Sequence, residues 1–212
     1  MNGISEILAA TPMIPVLTIH DLDRARIVAE ALIAAGLNVL EVTLRTPLAY
    51  RGITELAALD GAIVGAGTVL NASDLDAAVN AGARFAVSPG LTEPLACAAI
   101  ASATPYLPGV ATASDIMRAL DLGLTHFKFF PAEASGGIAT LSALSAAFAA
   151  ARFCPTGGIT LETAPRWFAL DTVTCVGMSW MAPDGSSSRA DTERAARSAA
   201  ELLRDCRSPR MP

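Results

Sequence analysis

Eight short apolar runs of β character recur along the chain, at residues 13–19, 39–44, 62–65, 84–88, 105–108, 126–130, 152–155 and 173–177, and segments with helical spacing separate them. Asp21, Ser73, Thr92 and Ser114 stand where helix N-caps belong, opening helices that run to about residues 35, 81, 101 and 122. Further helices fit 47–59, 140–150, 163–169 and 191–204, and Gly36, Gly82 and Gly123 fall where helices should end. Strands that each lead into a helix pair in parallel, through right-handed crossovers. The expected fold class is therefore α/β, a (β/α)8 TIM barrel in which all 212 residues form one domain, near the lower end of the roughly 200–400 residues such barrels take. An open doubly wound sheet is the alternative. It would carry a glycine-rich fingerprint after the first strand, and IPVLTIHDLD at 14–23 has none. Residues 4–10 predict a short N-terminal helix across the barrel floor, DGSSSRAD at 184–191 reads as a loop, and RSPRMP at 207–212 as a frayed end.

Composition narrows the class of function. With 52% hydrophobic and 17% charged residues the chain is too apolar for disorder. Its apolar runs fall short of the roughly 20 residues of a membrane span, so no membrane partner is expected. The N-terminus, MNGISEILAATP, lacks the basic start of a secretory signal, which makes the cytoplasm the expected compartment. A net charge of −5, with no basic cluster before Arg204, Arg207 and Arg210, argues against nucleic acid as a partner. Cys97, Cys154, Cys175 and Cys206 lie far apart with no C-x-x-C, and are expected to be reduced, mostly buried thiols rather than a zinc site or a disulfide framework.

Against fourteen arginines there is one lysine, Lys128, set between phenylalanines in HFKFFP. Side chains alternate along a strand, so packing Phe127 and Phe129 on the helices turns Lys128 into the barrel. The same alternation in VLEVTLRT puts Leu40, Val42 and Leu44 outside and Glu41, Thr43 and Arg45 inside. Unpaired charges there would cost several kcal/mol, so one reading of Glu41 and Arg45 is a buried ion pair that fills the barrel. The other is chemical. Desolvation and a nearby guanidinium favour a neutral, nucleophilic amine at Lys128, whereas Glu41 favours the ammonium, and the balance is open at this stage. An amine beside a carboxylate able to move protons is the equipment for Schiff-base chemistry on a carbonyl substrate, with no cofactor or metal required. A metal-dependent aldolase would need a cluster of His or carboxylate ligands, and the chain has only His20, in the first βα loop, and His126, at a strand start.

The last two strands supply an anion site. CPTGGI offers Thr156, Gly157 and Gly158, and VGMSW offers Gly177 and Ser179, where barrels hold phosphate on backbone N–H groups and a helix N-terminus. Gly65 and Gly67 in GAGTVL allow close backbone approach at strand three and leave Thr68 at the rim as a hydrogen-bonding group.

From Ile14 to Pro183, the segments LEVTLRT (40–46), GAGTVL (65–70), SPGLTEPL (88–95), FKFFPAE (127–133) and RFCPTGGI (152–159), in this order, resemble the bacterial 2-keto-3-deoxy-6-phosphogluconate (KDPG) aldolase family, class I enzymes also described as acting on 4-hydroxy-2-oxoglutarate. The resemblance implies a barrel assembled as a homotrimer and a lyase that binds a keto-deoxy sugar acid phosphate and releases pyruvate and glyceraldehyde 3-phosphate, or pyruvate and glyoxylate from 4-hydroxy-2-oxoglutarate. It also implies a place in the Entner-Doudoroff pathway. Lys128 would form the Schiff base and Glu41 act as general acid/base; Arg45 and Thr68 would hold the pyruvate carboxylate and Phe130 pack beside the imine. Thr156, Gly157, Gly158 and Ser179 match the positions that receive the distal phosphate. One departure is GMSW at 177–180, where Met178 replaces a glycine common in the family and could weaken phosphate binding. Two rival readings keep the barrel but drop the imine: a sugar-phosphate isomerase or epimerase with Glu41 as base, and a non-catalytic barrel that binds phosphorylated metabolites.

Overall fold

The alternating segment around Glu41 is the middle of a parallel ladder. In the structure, a computed structural model that describes residues 3–179 and 189–207, β1 (Met13–Leu17), β2 (Val39–Thr43) and β3 (Ile63–Gly67) lie side by side with Val16 opposite Glu41 and Glu41 opposite Gly65. β4 (Ala86–Val87) and β5 (Tyr106–Leu107) extend this sheet one way and β9 (Val176–Met178) the other. A second sheet holds β6 (Gly109–Val110), β7 (His126–Phe129) and β8 (Arg152–Pro155) in that order.

The two sheets are arcs of one barrel. Pro108 alone separates β5 from β6: the Leu107 carbonyl accepts the Ser88 N–H from the β4 side, and the Pro108 carbonyl accepts the Lys128 N–H from β7. A proline has no N–H to continue the ladder, so the fifth strand expected at 105–108 splits into two pieces that serve different neighbours. At the opposite seam Phe153 bridges Val173 and Thr156 bridges Gly177, joining β8 to the last strand. All eight expected strand positions are occupied, although β3 ends at Gly67 rather than at residue 65.

α1 (Ile4–Ala9) precedes the first strand, and the other helices follow strands: α2 (Leu22–Ala34), α3 (Ala49–Ala57), α4 (Ala72–Asn80), α5 (Glu93–Ala101), α6 (Ala113–Asp121), α7 (Gly137–Ala147), α8 (Ala164–Trp167) and α9 (Arg189–Arg207). Asp21 caps α2 through the Arg24 N–H at 2.7 Å. Two expected caps are displaced by better-placed neighbours. Asn71, not Ser73, accepts the Asp74 N–H, and Thr112, not Ser114, forms a capping box with Asp115, satisfying two orphan donors at once. Thr92 opens α5 without a side-chain bond. Residues 189–191 belong to α9 rather than to a loop; the rest of the 184–191 stretch and residues 208–212 of the expected frayed end lie outside the described residues.

Burial separates two cores. Leu40, Val42, Phe127 and Phe129 pack outward beneath the helices, Phe129 against Trp167 with ring centroids 6.3 Å apart. Inside the barrel, Ile14, Val39, Phe85, Leu107, Cys154 and Cys175 form an apolar plug that Ile7 and Leu8 of α1 close from below. The floor helix is thus where the sequence puts it, and the interior is apolar up to the level of Glu41 and Lys128. Cys154 and Cys175 are buried thiols outside any disulfide, but Cys97 is exposed and Cys206 half-buried, so only two of the four meet the expectation of burial. No described helix is long and apolar enough to cross a membrane.

Tyr106 gives the fold an alkaline limit. Burial pushes its phenol up to about 12. An unfolded tyrosine ionises near ~10. The native state therefore holds a proton that the unfolded chain releases first, and the corresponding stability is complete below about pH 10 and lost as the pH rises toward 12. Denaturant titrations should show a loss of about 2–3 kcal/mol over that window that is absent in Tyr106→Phe.

Candidate active site

Strand alternation carries two charges into the barrel. Lys128, at 5% exposure, sits in β7 between Gly109 of β6 and Cys154 of β8, and Glu41, at 3%, reaches across from β2. Lys128 Nζ donates to Glu41 Oε1 at 3.0 Å. The glutamate side chain has room because β3 carries glycine beside it: a Cβ on Gly67 would lie 2.6 Å from Glu41 Cγ. Gly65, one step lower, leaves its space to the Phe85 ring of the plug. Phe130, half-buried, stands with its ring centroid 5.3 Å from Lys128 Nζ.

A buried ion pair stabilises weakly, since desolvating both ions offsets most of the attraction. Its chemical consequence is larger. One proton moved across 3.0 Å leaves an uncharged amine next to a carboxylic acid, a nucleophile and a proton donor in contact.

Arg45 is not where alternation places it. β2 ends at Thr43, and the chain then turns, with the Leu44 N–H bonded to the Gly67 carbonyl and the Thr46 hydroxyl to the Ile19 carbonyl. Arg45 is carried onto this turn, exposed, without a hydrogen bond or ion pair to the described residues. The buried Glu41–Arg45 pair is thereby replaced by Glu41–Lys128, and Arg45 becomes a rim cation. Thr68, half-buried on the opposite side of the same ladder, has φ 60°. A β-branched residue rarely enters this left-handed region, at a cost of about 1–3 kcal/mol, and such strain clusters at functional sites. Thr43 Oγ1 completes this rim, donating to the Leu17 carbonyl at 3.2 Å with Thr18 Oγ1 3.0 Å away.

The other end of the mouth is built from Thr156, Gly157 and Gly158. Gly157 and Gly158 have φ of 105° and 79°, a pair of left-handed residues that any side chain would strain. The turn is held from the segment that follows β7, since Ala132 N–H donates to the Thr156 carbonyl at 2.8 Å and Glu133 N–H to the Gly157 carbonyl at 3.1 Å. Gly177 leaves space for Thr156, whose Cβ would be 3.1 Å from an added Cβ. Ser179 is exposed directly after β9. Among the described residues no helix starts directly behind this turn: α8 has four residues and begins only at Ala164. Met178 is 1% exposed and packs outward in the helix-covered core. Its side chain does not enter the mouth, because Gly177 is the inward position on that strand.

His126 lies at the opposite end of the barrel, half-buried and bonded to Thr125 Oγ1 at 3.0 Å, its pKa lowered by burial and by Arg152. His20 is exposed in the loop after β1. Among the described residues no group of three His, Cys, Asp or Glu is placed to hold a metal ion.

Known proteins share this arrangement over nearly the whole chain. A model of the KDPG and KHG aldolase family matches residues 4–197. The 2-dehydro-3-deoxy-phosphogluconate aldolase of Zymomonas mobilis is 49% identical over 204 residues, covering 96% of this chain and 98% of that protein. The KHG/KDPG aldolase of Escherichia coli K12 is 46% identical over 198 residues, 93% of each chain. The crystal structure of the Zymomonas enzyme with 3-phosphoglycerate superposes with a TM-score of 0.92, covering 94% of this chain and 95% of that one. A KDPG aldolase from Legionella pneumophila, 42% identical with a TM-score of 0.86 over 97% of this chain and 98% of that one, was captured with pyruvate as a covalent carbinolamine. With both barrel and sequence matched over more than nine-tenths of its length, the chain belongs to the KDPG and KHG aldolase family and is a lyase.

Proposed function

We propose that this aldolase cleaves 2-keto-3-deoxy-6-phosphogluconate to pyruvate and glyceraldehyde 3-phosphate, and 4-hydroxy-2-oxoglutarate to pyruvate and glyoxylate, through a Schiff base on Lys128. The observation that carries the reading is the 3.0 Å contact between the single lysine and Glu41 in a barrel sealed below by apolar side chains. Lys128 Nζ, its proton passed to Glu41, attacks the C2 ketone. The carbinolamine loses water as Glu41 returns the proton, leaving an iminium and a carboxylate. Glu41 then removes the C4 hydroxyl proton while the C3–C4 bond breaks, its electrons flowing into the iminium. The aldehyde departs, the enamine takes a proton at C3, and water releases pyruvate and the free amine.

The rim residues divide the substrate between them. Arg45, a cation without a partner among the described residues, and the strained Thr68 take the carboxylate of the pyruvate portion. Phe130 covers the imine. Thr156, Gly157, Gly158 and Ser179 take the distal phosphate on the other side of the mouth. Because Met178 packs away from that mouth, its substitution for glycine leaves the phosphate position open. The homotrimer belongs to the same reading; Val79, Ile100 and Met117, exposed on α4, α5 and α6, are apolar surface that contact between copies would cover.

Pyruvate with borohydride tests the reading. A stable mass should be fixed on Lys128, and a folded protein that acquires none would fit the isomerase or binding-barrel alternatives instead.

A further inference from the structure

The turn that follows β4 is tied from outside and pressed from inside against β6, the strand beside the lysine strand. Ser88, 1% exposed, donates from Oγ to the Gly90 carbonyl at 2.6 Å, and the same Oγ is 2.6 Å from Tyr106 Oη. A serine hydroxyl has one proton, so the phenol must be the donor in the second bond. The result is a one-way chain, Tyr106 to Ser88 to the Gly90 carbonyl. Among the described residues Ser88 supplies all the side-chain hydrogen bonds of residues 88–92, and Thr92 gives α5 no cap bond that would anchor the segment further on. Gly90 itself is exposed.

On the inner side, the peptide joining Pro89 to Gly90 occupies the space of a missing side chain. A Cβ on Gly109 would lie 2.6 Å from Gly90 N and overlap the Pro89 carbonyl group. Gly109 is the residue opposite Lys128 in the β6–β7 ladder, so the two project to the same face of the sheet, which is the barrel interior. The peptide therefore stands beside the lysine at its own level.

Resting on the Schiff-base reading, we propose that the Tyr106–Ser88–Gly90 chain positions this peptide as the wall of the keto-acid pocket on the β6 side of Lys128. Tyr106 and Ser88 touch no substrate. They act through the turn, whose outer side is otherwise free to lift toward solvent. A wall that shifts admits the keto acid in a poorer pose, which weakens binding without altering the amine.

The test measures borohydride-trapped pyruvate on Lys128 as a function of pyruvate concentration in Tyr106→Phe, Ser88→Ala and the double variant, each checked for a native circular dichroism spectrum and for its thermal midpoint. Losing one hydrogen bond of this kind should raise the half-saturating pyruvate concentration about three- to tenfold, with the plateau of labelling unchanged. Both substitutions break one chain, so the double variant should go no further than the larger single. A lowered thermal midpoint with unchanged half-saturation in both singles would make the chain purely structural and overturn the proposal. If Tyr106→Phe does not fold, the half-saturation of Ser88→Ala decides between the same two outcomes. An absence of adduct in the unsubstituted protein would instead overturn the Schiff-base reading, and this proposal with it.

Discussion

Lys128→Met is expected to abolish pyruvate adduct formation, to slow aldol cleavage by about four orders of magnitude or more, and to destabilise the barrel by about 3–5 kcal/mol. The first two effects follow from removing the nucleophile. The stability effect follows from what is left behind: Glu41, 3% exposed, keeps its place over Gly67 with its 3.0 Å partner gone. A buried charge stripped of its counterion is far more costly than the intact pair is favourable. Lys128→Met/Glu41→Leu should therefore recover most of the stability lost in the single variant while remaining inactive, since apolar replacements extend the plug that Phe85, Leu107 and Cys154 already form below. Chemical denaturation of the two variants, with cleavage assays alongside, separates the roles. Residual labelling in Lys128→Met, or a single variant as stable as the parent, would contradict the covalent role and the buried pairing respectively.

The lysine and the glutamate are legible in the sequence because both sit in apolar strands whose neighbours can face only one way. Phe127 and Phe129 belong under helices, which leaves Lys128 nowhere but inward, and Leu40 and Val42 do the same for Glu41. The rule fails where the strand stops. Arg45 follows β2 by two residues, and a turn fixed by Leu44 and Thr46 hydrogen bonds redirects it, which depends on partners in β3 and the first loop that no local pattern reveals. Helix starts are misread for a related reason. Ser73 and Ser114 are good caps in isolation, but Asn71 and Thr112 reach an acidic residue three positions on and win by pairing with it. Thr68 stands out in the sequence for its hydroxyl, whereas its left-handed backbone is invisible there. Glycines are readable as places of close approach, but not what approaches: Glu41 at Gly67, Phe85 at Gly65 and the Pro89 backbone at Gly109.

Those two glycines of β3, two residues apart, should fail in different ways when each becomes alanine. At Gly67 the new methyl would lie 2.6 Å from Glu41 Cγ and 2.7 Å from Cδ, on an unbranched side chain that can yield by changing rotamer at the cost of its bond to Lys128, so the barrel survives and the carboxylate swings away. A misplacement of about 1 Å at a reacting group costs roughly 100-fold in rate. Gly67→Ala should accordingly lose about that factor in kcat, with overpacking holding the stability loss to about 1–3 kcal/mol. At Gly65 the methyl would overlap the Phe85 ring, which is fully buried in the plug between Val39 and Leu107 and has no open side to move toward. Gly65→Ala should show the reverse balance, a larger loss of stability and a smaller loss of kcat in the protein that remains folded. Thermal midpoints and kcat measured on both variants decide the point: if Gly67→Ala loses stability but keeps its rate, the carboxylate beside Gly67 is not the group that moves the protons.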